Sequence, residues 1–428
     1  MIAGIRHKRL VFLTAGLMPI ALAIGCSKQT LGGPPEGHGG AGGSAGPGGS
    51  GGIDYSSCVA SGGGFYGSYG TEAAATQGAP VFSQVPVLSP GFSGTVVSAD
   101  VNGDGLPDLV TAKDVNDAVT GVVTGIVSVW INLGGGTFAS PVDASVTISV
   151  GRALALGDLN GDGKIDVAAG NNGPKIVVLM NDGTGHLSSP AYYDVSGTQS
   201  SIALGDMDGD GRLDILVANR RGSDPNRNGD LAVLLNDGSG GFAPATHFAA
   251  GIEPQSVAVN DLNGDGRLDV VTSGTCAGTV LLNSGEGTFA AGPSYTSISG
   301  AMKLVDLDGD GKQDIVFVQP TGLTGVMRGN GDGTFGAPAE QFVESPLDIA
   351  TGDMNADGKA DLVVRTEYGN HDMGVLLNDG SGGLGVPLNY AGAYDGGALA
   401  VGDVSGDGLA DVVVLGLSGL RVLVNGSR

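Results

Sequence analysis

Carboxylates recur in this chain in a set order. Seven nonapeptides of the general form Asp-x-Asx-Gly-Asp-Gly-x-x-Asp begin at Asp100, Asp158, Asp206, Asp261, Asp306, Asp353 and Asp403, 45 to 58 residues apart. Side-chain oxygens at alternate positions of a short, glycine-bearing loop converge on one point, which is the ligand set of a hard cation such as calcium. Position six is Gly in every copy (Gly105, Gly163, Gly211, Gly266, Gly311, Gly358 and Gly408), where the backbone must turn sharply and a positive φ costs Gly nothing. Without a metal, three or four carboxylates at contact distance repel one another by ~1–4 kcal/mol per pair, depending on the effective dielectric. Seven evenly phased copies also demand an architecture of seven like units.

Two other calcium loops fail on this spacing. An EF-hand begins with the same residues but needs flanking helices and a bidentate Glu at position twelve. Here that position is Thr111, Ala169, Val217, Thr272, Phe317, Val364 or Val414, each inside an apolar run. A roll of directly stacked nonapeptides is excluded because 45 to 58 residues part successive copies.

The net charge of −24 belongs mostly to these loops, which hold 23 of the 44 acidic residues. No basic stripe is present, which argues against nucleic acid as a partner. At the N-terminus, Arg6, Lys8 and Arg9 precede an apolar run from Leu10 to Ile24, too short for a comfortable membrane span of about 20 residues. The run ends in Ala23-Ile24-Gly25-Cys26, which resembles the bacterial lipoprotein signal, where a Cys becomes the lipidated N-terminus. An ordinary signal peptide with an incidental Cys is the alternative, and either reading takes the chain out of the cytoplasm. The domains expected are a leader over 1–25, a tether over 26–78 and a repeat body over 79–428. The tether is rich in Gly, Pro and Ser and cannot bury enough apolar surface to order itself. A coil of that length reaches roughly 40 Å at ~5–6 Å × √n. Cys58 and Cys276 read as two thiols, though an exported location would permit them to pair.

The third copy shows the unit. Ser201 to Gly205 enters the loop Asp206 to Asp214; Ile215 to Ala218, Leu231 to Leu235 and Phe242 to Phe248 follow, separated by polar turns such as Asn236-Asp237-Gly238. Four short strands with turn residues between them make an antiparallel sheet. Runs such as Val177-Val178-Leu179-Met180 are continuously apolar, as in sheets packed on both faces. The fold expected is therefore all-β, a seven-bladed β-propeller of four-stranded antiparallel blades. After the seventh loop the chain ends where a fourth strand is due, at Asn425-Gly426-Ser427-Arg428. Residues 79–86 read like that missing strand, so an N-terminal strand is expected to close the ring.

The unit resembles the FG-GAP/VCBS repeat, the blade of integrin α-subunit propellers and of many bacterial surface proteins. Thr334-Phe335-Gly336-Ala337-Pro338 carries the motif, with looser versions at Phe138 to Pro141, Phe242 to Pro244 and Leu384 to Pro387. The resemblance implies up to seven calcium ions, held by side chains at loop positions one, three, five and nine and by the carbonyl of position seven. Those positions are Asp100, Asn102, Asp104, Leu106 and Asp108 in the first loop, and Asp158, Asn160, Asp162, Lys164 and Asp166 in the second. In the third they are Asp206, Asp208, Asp210, Arg212 and Asp214; in the fourth, Asp261, Asn263, Asp265, Arg267 and Asp269. The fifth has Asp306, Asp308, Asp310, Lys312 and Asp314, and the sixth Asp353, Asn355, Asp357, Lys359 and Asp361. The seventh has Asp403, Ser405, Asp407, Leu409 and Asp411. Loops three and five, with four carboxylates, should bind tightest. The sixth, with Ala356 for a loop Gly, and the seventh, with Ser405, should bind most weakly. Affinities of order 10⁻⁴–10⁻³ M would suit an extracellular structural site.

Catalytic constellations are scarce. His186, His247 and His371 stand in different repeats without a nucleophile or carboxylate at motif spacing, and Trp130 lies in an apolar strand that reads as core. The connections between strands two and three are long in blades one, three and six: Lys113 to Asp117, Arg220 to Asn228, and Glu367 to Asp372. They should emerge opposite the acidic loops, on the face integrin-like propellers use for partners. Asp114, Asn116, Arg220, Arg221, Arg227, Tyr368 and His371 are the candidate ligand contacts, with tolerated loop insertion the equal alternative. The function expected is a calcium-binding, lipid-anchored extracytoplasmic recognition module for a surface protein or glycan, monomeric, touching a membrane only through its anchor. The alternative is a polysaccharide- or lipid-processing enzyme on the same scaffold.

Overall fold

The computed structural model describes residues 79–84, 94–116, 121–170, 173–220, 228–366, 373–390, 397–416 and 419–426. The leader, Cys26, the tether with Cys58, residues 85–86, Arg221, Arg227, Tyr368 and His371 lie outside the described residues.

Seven four-stranded antiparallel sheets form the expected propeller. Blade one is Gly94–Ala99, Asp108–Asn116, Val123–Trp130 and Val142–Val146. Blade three is Thr198–Gly205, Asp214–Arg220, Asn228–Leu234 and Thr246–Ile252, and blade five is Met302–Val305, Asp314–Val318, Leu323–Met327 and Ala339–Phe342. First strands of neighbouring blades touch around the whole ring, the first against the seventh included.

The continuous apolar runs are explained by the period-two alternation of a strand between two equally apolar neighbours. In blade three, Ile215 and Val217 pack against blade two, while Leu216 and Ala218 pack against blade four. Seven such clusters fill the seven interfaces. Each Val, Leu or Ile so buried contributes about 1.5–3 kcal/mol. Trp130 belongs to the cluster between blades seven and one, its indole N–H donating to Thr111 Oγ1 at 3.2 Å.

The N-terminal strand closes the ring. Phe82–Gln84 pairs antiparallel with the last strand, Gly419–Asn425, with Phe82 opposite Asn425 and Gln84 opposite Leu423. Tyr390 donates its hydroxyl to the Pro80 carbonyl at 2.7 Å, and its ring meets Phe82 edge-on at 5.0 Å.

One expectation needs correction. Lys113, Asp114, Val115 and Asn116 are strand, not loop: they pair with Ile126, Gly125, Thr124 and Val123. Polar side chains interrupt the apolar run there because the hairpin of blade one projects past the apolar interface. Likewise, Arg220 ends one strand and Asn228 begins the next.

Candidate functional site

All seven acidic loops lie at one end of the ring, each leading from strand one into strand two. The first Asp is the hub on which the loop winds. In the first loop, Asp100 accepts the N–H groups of Gly103 and Asp104 on Oδ1 and of Gly105 on Oδ2, at 2.7, 3.1 and 2.8 Å. Asp206, Asp306 and Asp403 are bonded alike. Such winding needs positive φ at positions four and six. The seven position-six glycines have φ between 81° and 90°. Position four is also left-handed, and in the sixth loop Ala356 occupies it at φ 59°, a conformation that costs a residue with a Cβ roughly 1–2 kcal/mol.

The ninth residue opens strand two in every blade and is buried. Asp108 Oδ2 accepts the Val101 N–H at 2.9 Å and Oδ1 the Asn132 N–H at 2.7 Å. Asp166, Asp214, Asp269, Asp361 and Asp411 likewise tie the loop to the end of strand three. Burial pushes these six carboxyls above the ordinary value, Asp214 and Asp361 up to about 6. The exposed Asp104 goes the other way, lowered first by the Leu106 N–H and then by Asn102.

The arrangement fits a hard cation. The carboxylates of Asp206, Asp208 and Asp210 come within 4.8 Å of one another, as do those of Asp306, Asp308 and Asp310. Only oxygen converges there, from a loop already wound by its own N–H groups, which is calcium's preference. At position seven, Arg212, Arg267, Lys164, Lys312 and Lys359 fold their side chains onto the fifth-position Asp, one of the clustered carboxylates.

Residues 100–169, 158–217, 220–272, 306–364 and 353–414, more than half of the chain, match the FG-GAP-like repeat. The chain belongs to the FG-GAP-like repeat family. No curated protein matches it. Among solved structures, BBS1N in complex with ARL6DN, soaked with lead, aligns with TM-score 0.52 and 13% identity over 80% of this chain and 96% of that one. The mercury-soaked form gives 0.53 and 12% over the same shares. An Agrocybe aegerita lectin, described for specific recognition of non-reducing terminal N-acetylglucosamine, aligns with TM-score 0.49 and 23% identity over 70% of this chain and 80% of that one. At such identities the likeness is one of fold.

In this FG-GAP propeller the residue that ends strand three has a role its sequence position hides. Asn132, Asn181, Asn236, Asn283, Asn378 and Asn425 each donate Nδ2 to the position-two carbonyl of the preceding blade's loop. The acceptors are Val404, Val101, Leu159, Met207, Leu307 and Met354, at 2.7 to 2.9 Å. Each acidic loop is thus latched to the next blade. The recurring Asn was the visible signal, but it reads as turn chemistry.

At the opposite end, Asp114 accepts the Ser149 hydroxyl at 2.5 Å and the Val150 N–H at 2.7 Å, so its carboxylate pins the connection from blade one to blade two. Asn116 is exposed at the end of its strand. Arg220 borders the segment 221–227 of blade three. There, Asp230 takes Asn219 Nδ2 at 3.0 Å and His247 Nδ1 at 3.1 Å. Cys276 is buried.

Proposed function

We propose that this chain is an exported, lipid-anchored propeller whose acidic loops bind calcium and whose opposite face holds a surface protein. Cys26, after its apolar leader, supports the anchor, and the tether over 26–78 supports a body standing clear of the membrane. Calcium, when bound, would neutralise the clustered carboxylates of each loop. The chain's own residues supply the rest: the first Asp winds the loop, the ninth ties it to strand three, and the Asn latch carries that order to the neighbouring blade.

The observation that carries the recognition reading is the projecting hairpin of blade one, where apolar side chains meet water together, whereas the exposed Val81, Leu133 and Val386 of the acidic end belong to three different blades. Val115, Val122 and Val123 are 39%, 57% and 38% exposed at the tip of blade one's projecting hairpin, on the face away from the acidic loops. Phe342 and Leu347, at the end of blade five's last strand and the start of blade six's first, lie exposed on the same face. Exposed apolar groups on one face suit a protein partner better than a sugar.

The test passes the full chain over surface-protein extracts and a polysaccharide panel in millimolar calcium, with a chelator control. Retention on a protein, lost in the V115S/V122S/V123S variant, is the expected result. Retention on a polysaccharide would move the partner to glycans, and turnover of a substrate would replace recognition with catalysis.

A further inference from the structure

Six blades end strand three on an apolar residue followed by Asn: Ile131-Asn132, Met180-Asn181, Leu235-Asn236, Leu282-Asn283, Leu377-Asn378 and Val424-Asn425. Blade five ends on Arg328-Gly329. Gly329 keeps the backbone role, its N–H donating to Asp314 Oδ1 at 2.9 Å. It has no side chain with which to latch blade four; the Leu262 carbonyl takes the Gly333 N–H at 2.9 Å, as Met207 takes the Gly287 N–H beside its Asn latch.

Arg328 departs further. The apolar residue at its position packs beneath a glycine of the next blade's turn: Ile131 beneath Gly185, Met180 beneath Gly240, Leu235 beneath Gly287, Leu282 beneath Gly333. Arg328 lies beneath Gly382 in the same way, so closely that a Cβ there would collide with the guanidinium. From that place it turns into the fifth acidic loop. Nη1 is 3.2 Å from Asp308 Oδ2 and 2.7 Å from Asp314 Oδ2, the third and ninth loop positions, and Nη2 donates to the Ser381 carbonyl of blade six at 2.5 Å. The position-seven cations each pair with one prospective ligand rather than two; Lys312 of the same loop reaches Asp310, the fifth position.

We propose that Arg328 is the resident cation of the fifth loop, holding it in shape without metal and lowering its affinity for calcium well below that of the others. The inference rests on the calcium reading of the loops. A guanidinium within hydrogen-bond distance of two prospective ligands must be displaced before both can turn to a divalent ion, and its charge opposes that ion's approach. Through Ser381 the side chain that neutralises the fifth loop also ties it to blade six, beside the Asn378 latch to Leu307; it does not replace the latch toward blade four that Gly329 lacks. One of the two loops with four carboxylates is thus not among the tightest sites.

Calcium binding by the full chain, followed by isothermal titration for wild type, R328L and R328K, tests this. Leu is what three other blades carry at this position. R328L should bind one more calcium per chain in the accessible range, or gain at least tenfold at one site, while R328K should stay near wild type. Calcium binding by wild type with an unchanged R328L isotherm would overturn the role of Arg328 and leave the calcium reading standing. Binding by none of the three would overturn the calcium reading itself. Hydrogen exchange of wild type covers the case in which R328L does not fold. In chelator, residues 306–314 should keep their protection while the third loop, 206–214, loses it; equal loss in both would overturn the proposal.

Discussion

At the acidic end of the ring, the blades repeat one set of contacts: a first Asp wound by N–H groups, a buried ninth Asp bonded to the end of strand three and, in all but blade five, an Asn latched to the preceding loop. At the other end, neighbouring blades differ. Blade one runs its hairpin out to Asn116 and Val123, blade two turns between Gly170 and Lys175, and blade four between Ser273 and Gly278. The two ends answer to different demands. Positions that repeat are those the ring needs in order to close, whereas positions that vary can change without loosening an interface. Perturbing the acidic end should therefore register as stability, and perturbing the other end as binding.

The largest expected effect is removal of metal. With affinities of order 10⁻⁴–10⁻³ M, millimolar calcium is roughly a one- to tenfold excess, which stabilises the folded state by about 0.4–1.4 kcal/mol per site, and several sites act on one cooperative ring. Thermal melts of the full chain in millimolar calcium and in excess chelator should differ by at least about five degrees. Superimposable melts would remove calcium from the account of this end.

Deleting residues 79–84 comes next. It strips the seventh blade of its edge strand and removes Phe82 and Ala79 from the cluster between blades six and seven. The loss should reach about 3 kcal/mol, the half-buried Phe82 giving less than a fully buried Phe and the lost strand pairing the rest. A deletion mutant melting at the wild-type temperature would show that the ring holds without its clasp.

Asn378→Ala probes a single latch. It removes the bonds to the Leu307 and Ala360 carbonyls and leaves both acceptors unpaired, which should cost about 1–3 kcal/mol in denaturant unfolding. The contrast within the acidic end is with Gly329, where no such latch exists to lose. Should Asn378→Ala cost nothing, the repeated Asn is turn chemistry after all.

That alternative shows what the sequence could and could not convey. The ring, its blade count and its N-terminal clasp were legible because acidic loops at even spacing phase everything between them, and a strand missing at one end was visible at the other. The Asn latch was not, because its acceptor lies 71 to 272 residues away and the side chain points out of its own repeat. Arg328 was hidden for a related reason. In sequence it lies 14 residues past Asp314 and only reach and direction bring it back to that loop. Aligning the repeats on their Asn would have exposed Arg328-Gly329 as the odd pair. The blade-one hairpin was misread because Lys113, Asp114 and Asn116 break an apolar run without breaking a strand.

A smaller effect belongs to the one acidic loop in which a residue other than Gly is left-handed. Ala356→Gly relieves a left-handed conformation worth roughly 1–2 kcal/mol but gives back about 0.5–1 kcal/mol in chain entropy. The net gain should be a few tenths of a kcal/mol to about 1, read as a slightly higher melting temperature. Calcium affinity at the sixth loop should rise with it, since a loop wound without strain has less to lose on binding.

The smallest stability effect is expected where the binding effect is greatest. Val115, Val122 and Val123 stand outside every interface cluster, so replacing all three with Ser removes no buried contact. Surface changes of this kind stay within about ±0.5 kcal/mol, and Ser relieves water of apolar surface. The melt should be unchanged while retention on the protein partner is lost. A fall in stability without a change in retention would mean that the hairpin supports the ring, and the division of labour between the two ends would fail at blade one.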